Sequence, residues 1–309
     1  MAAVCCYKLE VRFVCVFSFE LGDLRLTVVK MHARQADIEA REKMNYERIF
    51  VLGVGAQKSG TSWLHSYVSN SKNANMGFSK EYHIWDAVSS PLLLKSKVVG
   101  VRDLLRMNYR THMRYGMQNI PFFYEAYFRS IYMRGAKITG DITPSYAVLS
   151  VKDLISLKKK IERTGAKVRC VYLMRDPFER CWSAVRMEPR NNRKKFDDEV
   201  VLQKMYATEQ YKFRTRYEIT CENLLSVFTD HELYFGFYET MFSDSEIQRL
   251  SSFLGIPANY AHRETQVNVS VKSQNVGRQL RAEIIDFFSD TYGYCLEKFP
   301  ITSQIWNSS

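Results

Sequence analysis

Lys58, Ser59, Thr61 and Ser62 surround Gly60 in the stretch Phe50 to Leu64, FVLGVGAQKSGTSWL, so one ammonium and three hydroxyls fall within five residues. Such groups hold a phosphate-like anion when the chain presents them at the start of a helix. Backbone N–H groups there lack intrahelical partners, and the helix dipole adds partial positive charge. Laid over the phosphate-loop pattern G-x-x-x-x-G-K-[ST], the segment Gly55 to Ser62 departs at one place. Thr61 stands where that pattern has lysine, and Lys58 comes two residues before Gly60. The expected ligand is a nucleotide phosphate, in a setting other than ordinary ATP hydrolysis. A second set lies in RDPFERCWS. Arg175 offers a rigid fork of donors, and Ser183, eight residues on, can place its hydroxyl on the same anion from one to two turns into a helix. By themselves these residues also read as a strand-to-helix turn capped by Asp176.

The elements that must position these loops alternate strand and helix. Ile49 to Val54 reads as a buried parallel strand, and Thr61 to Val68 as the helix after it. Met76 to Phe78 is a short apolar piece read as a second strand. Residues 101 to 134 are helical in tendency and rich in aromatics between Phe122 and Tyr132, which read as an acceptor-side wall or as plain core. Lys137 to Asp141 is a strand ended by Thr143-Pro144. Lys167 to Met174 is the clearest strand after the first, Glu179 to Met187 is helical, and Glu232 to Phe237 is a further strand. Ser245 to Leu254 is a helix closed by Gly255 and Pro257, and Arg278 to Tyr292 is the last predicted helix. The fold class is therefore α/β, a central, mostly parallel sheet flanked by helices. Ligands of such sheets bind where loops leave the carboxyl ends of strands, which singles out GAQKSGTSW, DITPSY and RDPFERCWS.

Composition bounds the rest. With 309 residues, 46% of them hydrophobic, the chain can bury a large core, and residues 44–309 are expected to form the functional domain. Residues 1–43, an apolar cysteine-bearing patch followed by a charged HARQADIEAREK segment, read as a loosely attached extension. Lys plus Arg number 44 against 33 Asp plus Glu, and the formal charge of +11 favours an anionic partner. Charge is the only argument for nucleic acid, which is not expected as a partner. Seven cysteines without a C-x-x-C pair indicate neither a zinc site nor a disulfide framework, and a cytoplasmic location is expected. No run of about eighteen apolar residues occurs, so no membrane span is expected.

QKSGTSWL after the first strand and RDPFERCWS after a later one, with KEYHIWD and DITPSY between them, resemble the sulfotransferase family that uses 3′-phosphoadenosine 5′-phosphosulfate (PAPS). The likeness runs over roughly Tyr46 to Pro300 and is closest to carbohydrate-type and bacterial members. It implies a P-loop-like nucleotide-binding fold and sulfuryl transfer to a hydroxyl or amine of an acceptor, either a carbohydrate or a small hydroxylated molecule. Gln57, Lys58, Ser59, Gly60, Thr61 and Ser62 would hold the 5′-phosphosulfate, with Lys58 at the bridging oxygen. Arg175 and Ser183 would hold the 3′-phosphate. Trp63 would lie against adenine, at a position that a core tryptophan fits equally well. Within KEYHIWD the resemblance implies Glu81 as general base, with His83 as the alternative base or as a group orienting Glu81. Asp86 would be a structural or positioning carboxylate. Negative charge growing on the leaving phosphate calls for Lys58 and loop N–H groups, and no metal is required.

Two positions depart from the carbohydrate-type pattern. Ile142 in DITPSY and Ser62 stand where those members often carry basic residues, and both changes are expected to remove positive charge near the acceptor. Two other readings stay open: a catalytically silent nucleotide- or glycan-binding protein on the same fold, and a phosphate-loop kinase, against which the displaced lysine argues. A basic run, Arg186, Arg190, Arg193, Lys194 and Lys195, reads as a solvated loop or a flank to an anionic acceptor, and Lys272 and Arg278 as a loose match to the family's closing basic loop.

Overall fold

A computed structural model describes residues 47–89, 97–106, 108–187, 197–265 and 276–306. The 1–43 extension, the basic residues 190–195 and Lys272 lie outside the described residues. Every feature below belongs to the unit Arg48–Ser309.

In chain order the first half holds β1 (Arg48–Gly55), α1 (Thr61–Ser69), α2 (Trp85–Ser89), α3 (Tyr109–Asn119), α4 (Phe123–Met133), β2 (Ile138–Ile142) and α5 (Val151–Glu162). The second half holds β3 (Ala166–Met174), α6 (Pro177–Val185), α7 (Asp198–Met205), α8 (Glu209–Thr215), α9 (Tyr217–Leu225), β4 (Leu233–Phe237) and α10 (Asp244–Leu254), then α11 (Arg278–Phe287), α12 (Ser289–Lys298) and α13 (Thr302–Ile305). The strands form one parallel sheet in the order β2-β1-β3-β4.

Alternation along β1 builds a core on each face of the sheet. Phe50, Leu52 and Val54 join Val168, Cys170 and Tyr172 of β3 on one face, covered by α4, α5 and α9. Ile49 and Val51 join Val171 and Leu173 on the other, covered by α1 and α10. A strand buried on both faces needs apolar residues at successive positions, which is why the first strand reads as an unbroken run. A third cluster packs α6 against α7, α8 and α11 through Phe178, Trp182, Leu202, Tyr211 and Ile284.

The structure corrects several expectations. Met76 to Phe78 is not a strand: pairing there is a single bridge from Ala74 to Ile138, and Gly77 turns the chain at φ +77°. α5 was not expected, although Ser150 and Asp153 form a capping box at its start, a signature visible in the sequence. Residues 198–225, for which no element was expected, fold into α7, α8 and α9. The helix expected over Arg278 to Tyr292 is two, because Phe288, buried in the third cluster, leaves helical geometry at ψ 21°. Tyr124, Phe128 and Tyr132 are core residues, whereas Phe122 is exposed. Among the described residues, Cys170, Cys181, Cys221 and Cys295 are free and buried, and no helix is long and apolar enough to cross a membrane.

Candidate active site

Residues 56–60 connect β1 to α1. Gly60 is the residue before the first turn of α1, at φ +91° and ψ 8°, and no side chain caps that turn. The first N–H groups of α1 therefore face whatever occupies the loop, as an anion would require. Lys58 also adopts a left-handed backbone, at φ +72°. A Cβ on Gly60 would run into the Met241 sulfur and the Tyr238 ring, so glycine is needed both for the turn and for the close passage. Ser59 Oγ in this loop is buried without a hydrogen-bond partner.

Arg175 follows β3 and reaches the same loop. Its Nη1 donates to the Lys58 carbonyl at 3.4 Å, its Nη2 pairs with Glu179 Oε2 at 3.3 Å, and its guanidinium lies 4.4 Å from the Tyr238 ring centroid. Arg175 Nε is a second buried polar atom without a hydrogen bond. β2 and β3 flank β1 on opposite sides, so the loops after β1 and β3 meet at the switch point of the sheet, where such folds bind ligands. Ser183 is buried on α6, whose first turn is capped by Asp176, the carboxylate accepting from Glu179 N at 2.9 Å. Arg186, at the end of α6, has its pKa lowered, by burial first; Glu179 opposes this and the nearby charge of Arg175 adds to it. Unpartnered buried donors, free helix N–H groups and neighbouring guanidiniums make a site suited to a phosphate-bearing donor. Lys58 Nζ lies 3.7 Å from Met187 Sδ, a weak acceptor.

Trp63 has a different setting. It is buried, stacks on Tyr67 with centroids 4.8 Å apart, and donates its indole N–H to the His262 carbonyl at 3.1 Å. The turn of α1 directs it into the second core with Leu64 and Tyr67, so its surroundings are those of a core tryptophan and not of an open adenine platform.

Glu81, His83 and Asp86 come together. His83 Nδ1 is 2.7 Å from Asp86 Oδ2 and its Nε2 is 3.2 Å from Glu81 Oε2. Ser145 Oγ donates to the same Asp86 oxygen, and Asp86 is fully buried. The other Glu81 oxygen takes Lys80 Nζ at 2.8 Å, and that ammonium also donates to Ser62 Oγ at 2.7 Å. Burial would raise the Glu81 pKa, but the His83 hydrogen bond and the Lys80 charge outweigh it and hold the group at about 2. Burial opposes protonation of His83, yet its bonds to Asp86 and Glu81 prevail and raise its pKa. The set is an imidazole between two carboxylates, one buried and one reaching solvent.

The two departures noted in the sequence have distinct outcomes. Ile142 is fully buried in the second core, packed where a Cβ on Gly53 would clash with it, so it does not line the site. Ser62 receives Lys80, so the charge its position lacks arrives from another segment. Lys80 and Ser145 were not singled out from sequence. Lys80 adjoins Glu81 in KEYHIWD, but nothing local indicates that its ammonium turns toward α1.

A four-stranded parallel sheet flanked by helices, with an anion-suited loop at its switch point and a carboxylate–imidazole set beside it, is a P-loop-like α/β architecture. The chain belongs to the sulfotransferase domain family, whose profile matches residues 48–283. Among solved structures it is similar to a sulfotransferase from Alicyclobacillus acidocaldarius, at 19% identity and a TM-score of 0.52, over 81% of this chain and 95% of that one. A mouse sulfotransferase complexed with PAP aligns at 13% identity and a TM-score of 0.45, over 82% of this chain and 90% of that one. The first likeness supports the fold. A search of curated proteins gives no match.

Proposed function

We propose that the protein transfers a sulfuryl group from PAPS to a hydroxyl or amine of an acceptor, a carbohydrate or a small hydroxylated molecule, in the manner of carbohydrate-type members of its family. The observation that carries this reading is Lys80, which bridges Ser62 of the cradle and Glu81 of the carboxylate–imidazole set at 2.7 and 2.8 Å. Donor-side and acceptor-side chemistry are thereby one hydrogen-bonded assembly.

Residues 57–62, the first N–H groups of α1 and Lys58 would hold the 5′ end of the donor, and Arg175 with Ser183 the 3′-phosphate. Bound PAPS supplies the sulfuryl group and a phosphate leaving group. Lys58 and the loop N–H groups stabilise charge that grows on the leaving oxygen, which favours the transition state over the ground state. Lys80 would neutralise charge on the group in transit. Glu81 accepts the acceptor's proton. A carboxyl held at about 2 is a weak base, and it is so because His83 and Lys80 both donate to it. Loss of the His83 proton frees one of those bonds and leaves Nε2 as a neighbour to which Glu81 can pass the proton it takes, while Asp86 keeps the Nδ1 side oriented.

Calorimetric titration with adenosine 3′,5′-bisphosphate, set against ATP with magnesium, is the test. Tight binding of the bisphosphate without metal is the expected result, and preference for MgATP would overturn the reading. Transfer of labelled sulfate from PAPS to an acceptor library then identifies the substrate class.

A further inference from the structure

His83 stands at φ +56°, a left-handed backbone that a residue with a Cβ adopts only when its surroundings enforce it. The surroundings do so from two sides. On one, α3 supplies Arg114 and Gln118, four residues apart and so on one face of the helix. Arg114 donates to the carbonyls of Tyr82 and Glu81 at 2.9 and 2.7 Å, and Gln118 donates to the carbonyl of His83 at 2.8 Å. On the other side, the backbone N–H of Tyr82 donates to Thr143 Oγ1 at 3.0 Å and that of Ile84 to the Tyr146 hydroxyl at 3.3 Å. These are the amides directly before and after His83.

Both hydroxyls converge on one carboxylate. Thr143 Oγ1 lies 2.6 Å from Asp141 Oδ1, and the Tyr146 hydroxyl lies 2.7 Å from Asp141 Oδ2. A backbone N–H can only donate, so each hydroxyl accepts from the loop and turns its own proton to Asp141. The direction of all four bonds is thereby fixed, and only a group with two accepting oxygens can close both arms. Asp141 is fully buried on β2 beside the first core, a setting in which a carboxylate is costly unless its oxygens are satisfied.

We infer that Asp141 is a positioning residue: through Thr143 and Tyr146 it holds the amides on either side of His83 and so fixes the imidazole between Glu81 and Asp86. Asp141 touches neither donor nor acceptor in this scheme. The inference rests on the sulfuryl-transfer reading only for the consequence of misplacing His83. The geometry it describes is independent of substrate.

The test is an imidazole NMR titration of the full chain labelled with 15N-histidine, the His83 signal being assigned with His83→Asn. Asp141→Asn replaces one accepting oxygen by a donor and is expected to move the His83 titration by at least about half a pKa unit. The variant also removes a charge, so Thr143→Val decides the matter: it deletes one arm and no charge, and should move the His83 signal in its turn, as should Tyr146→Phe. A His83 titration unchanged in both Thr143→Val and Tyr146→Phe would overturn the inference. Affinity for adenosine 3′,5′-bisphosphate should stay within about twofold in each variant, since the cradle is untouched; a larger loss would show general disruption and overturn a role confined to His83. Failure of the sulfuryl-transfer reading appears separately, as lack of bisphosphate binding by the unmodified protein, and leaves the histidine readout intact.

Discussion

The Lys80 ammonium lies 2.7 Å from Ser62 Oγ, joining the segment that carries Glu81 to the first turn of α1. A cation thus stands where the cradle and the carboxylate meet, at a position that its neighbours in sequence do not disclose. Lys80→Met should let the Glu81 carboxyl rise from its present value of about 2. Under the proposed function it should also lower kcat by about 10²- to 10³-fold, the usual cost of removing one preorganised donor from a transferring group. A 13C titration of the Glu81 carboxyl checks the first effect and labelled-sulfate turnover the second.

Activity should rise with pH through the ionisation of His83, which lies above the ordinary imidazole value because Asp86 and Glu81 hold the charged form against the cost of burial. The imidazolium keeps Glu81 acidic, so its loss restores a proton acceptor. Asp86→Asn should move this limb of the kcat/KM profile to lower pH. Stability runs the other way. The contribution of the charged imidazole is complete below the unfolded pKa of about 6.5 and disappears as pH rises through the raised folded value, so the thermal midpoint should fall across that window.

Donor-side substitutions should separate binding from chemistry. Arg175→Ala removes a half-buried, charged donor and should weaken bisphosphate binding by about 1.5–3 kcal/mol, roughly 10- to 100-fold. Lys58→Ala should lower kcat by about 10²-fold or more with a smaller effect on bisphosphate affinity, because its charge matters most as the leaving oxygen becomes negative. Equal losses in binding and turnover for Lys58→Ala would remove it from the transition-state role.

Gly60→Ala is expected to damage the cradle while sparing the sheet. The new Cβ would occupy a left-handed position at φ +91° and meet the Met241 sulfur. The strain is on the order of 1–3 kcal/mol, and it should appear as lost bisphosphate affinity, measured by calorimetry, with far-ultraviolet circular dichroism unchanged.

Asp141 should leave a mark on stability as well. Burial pushes its carboxyl up to about 7, against the hydrogen bonds from Thr143 and Tyr146 and with Asp86 adding to the rise. The folded chain therefore binds this proton more tightly than the unfolded chain, whose carboxyl titrates near about 4, and stability should fall as pH rises from about 4 to about 7. Asp141→Asn should flatten that part of the curve in denaturant titrations at several pH values.

Much of the fold is legible along the chain. The unbroken apolar run of β1 and the Gly255 stop after α10 follow from short-range rules that operate within a few residues. α7 to α9 and the break at Phe288 escaped those rules because tertiary packing decides their ends, α7, α8 and Phe288 in the cluster around α6 and α9 against the first core. The candidate site divides in the same way. Residues 57–62 are readable as an anion cradle because the needed groups are contiguous, and the Glu81, His83 and Asp86 set is readable because its members fall within one hexapeptide.

The sequence by itself thus determined the local chemistry: a glycine turn with a lysine and hydroxyls at a helix start, an arginine after a later strand, and two carboxylates about an imidazole. Tertiary structure alone decided which of these meet. Strand order brings Arg175 onto the Lys58 carbonyl across 117 positions of chain. The phase of α1 takes Trp63 into the core, and the alternation of β2 buries Ile142 on one face while Asp141, on the other, supports the loop around His83. Contacts of this kind depend on how the sheet is ordered and which face each residue takes, and a linear pattern of residue types does not encode that order.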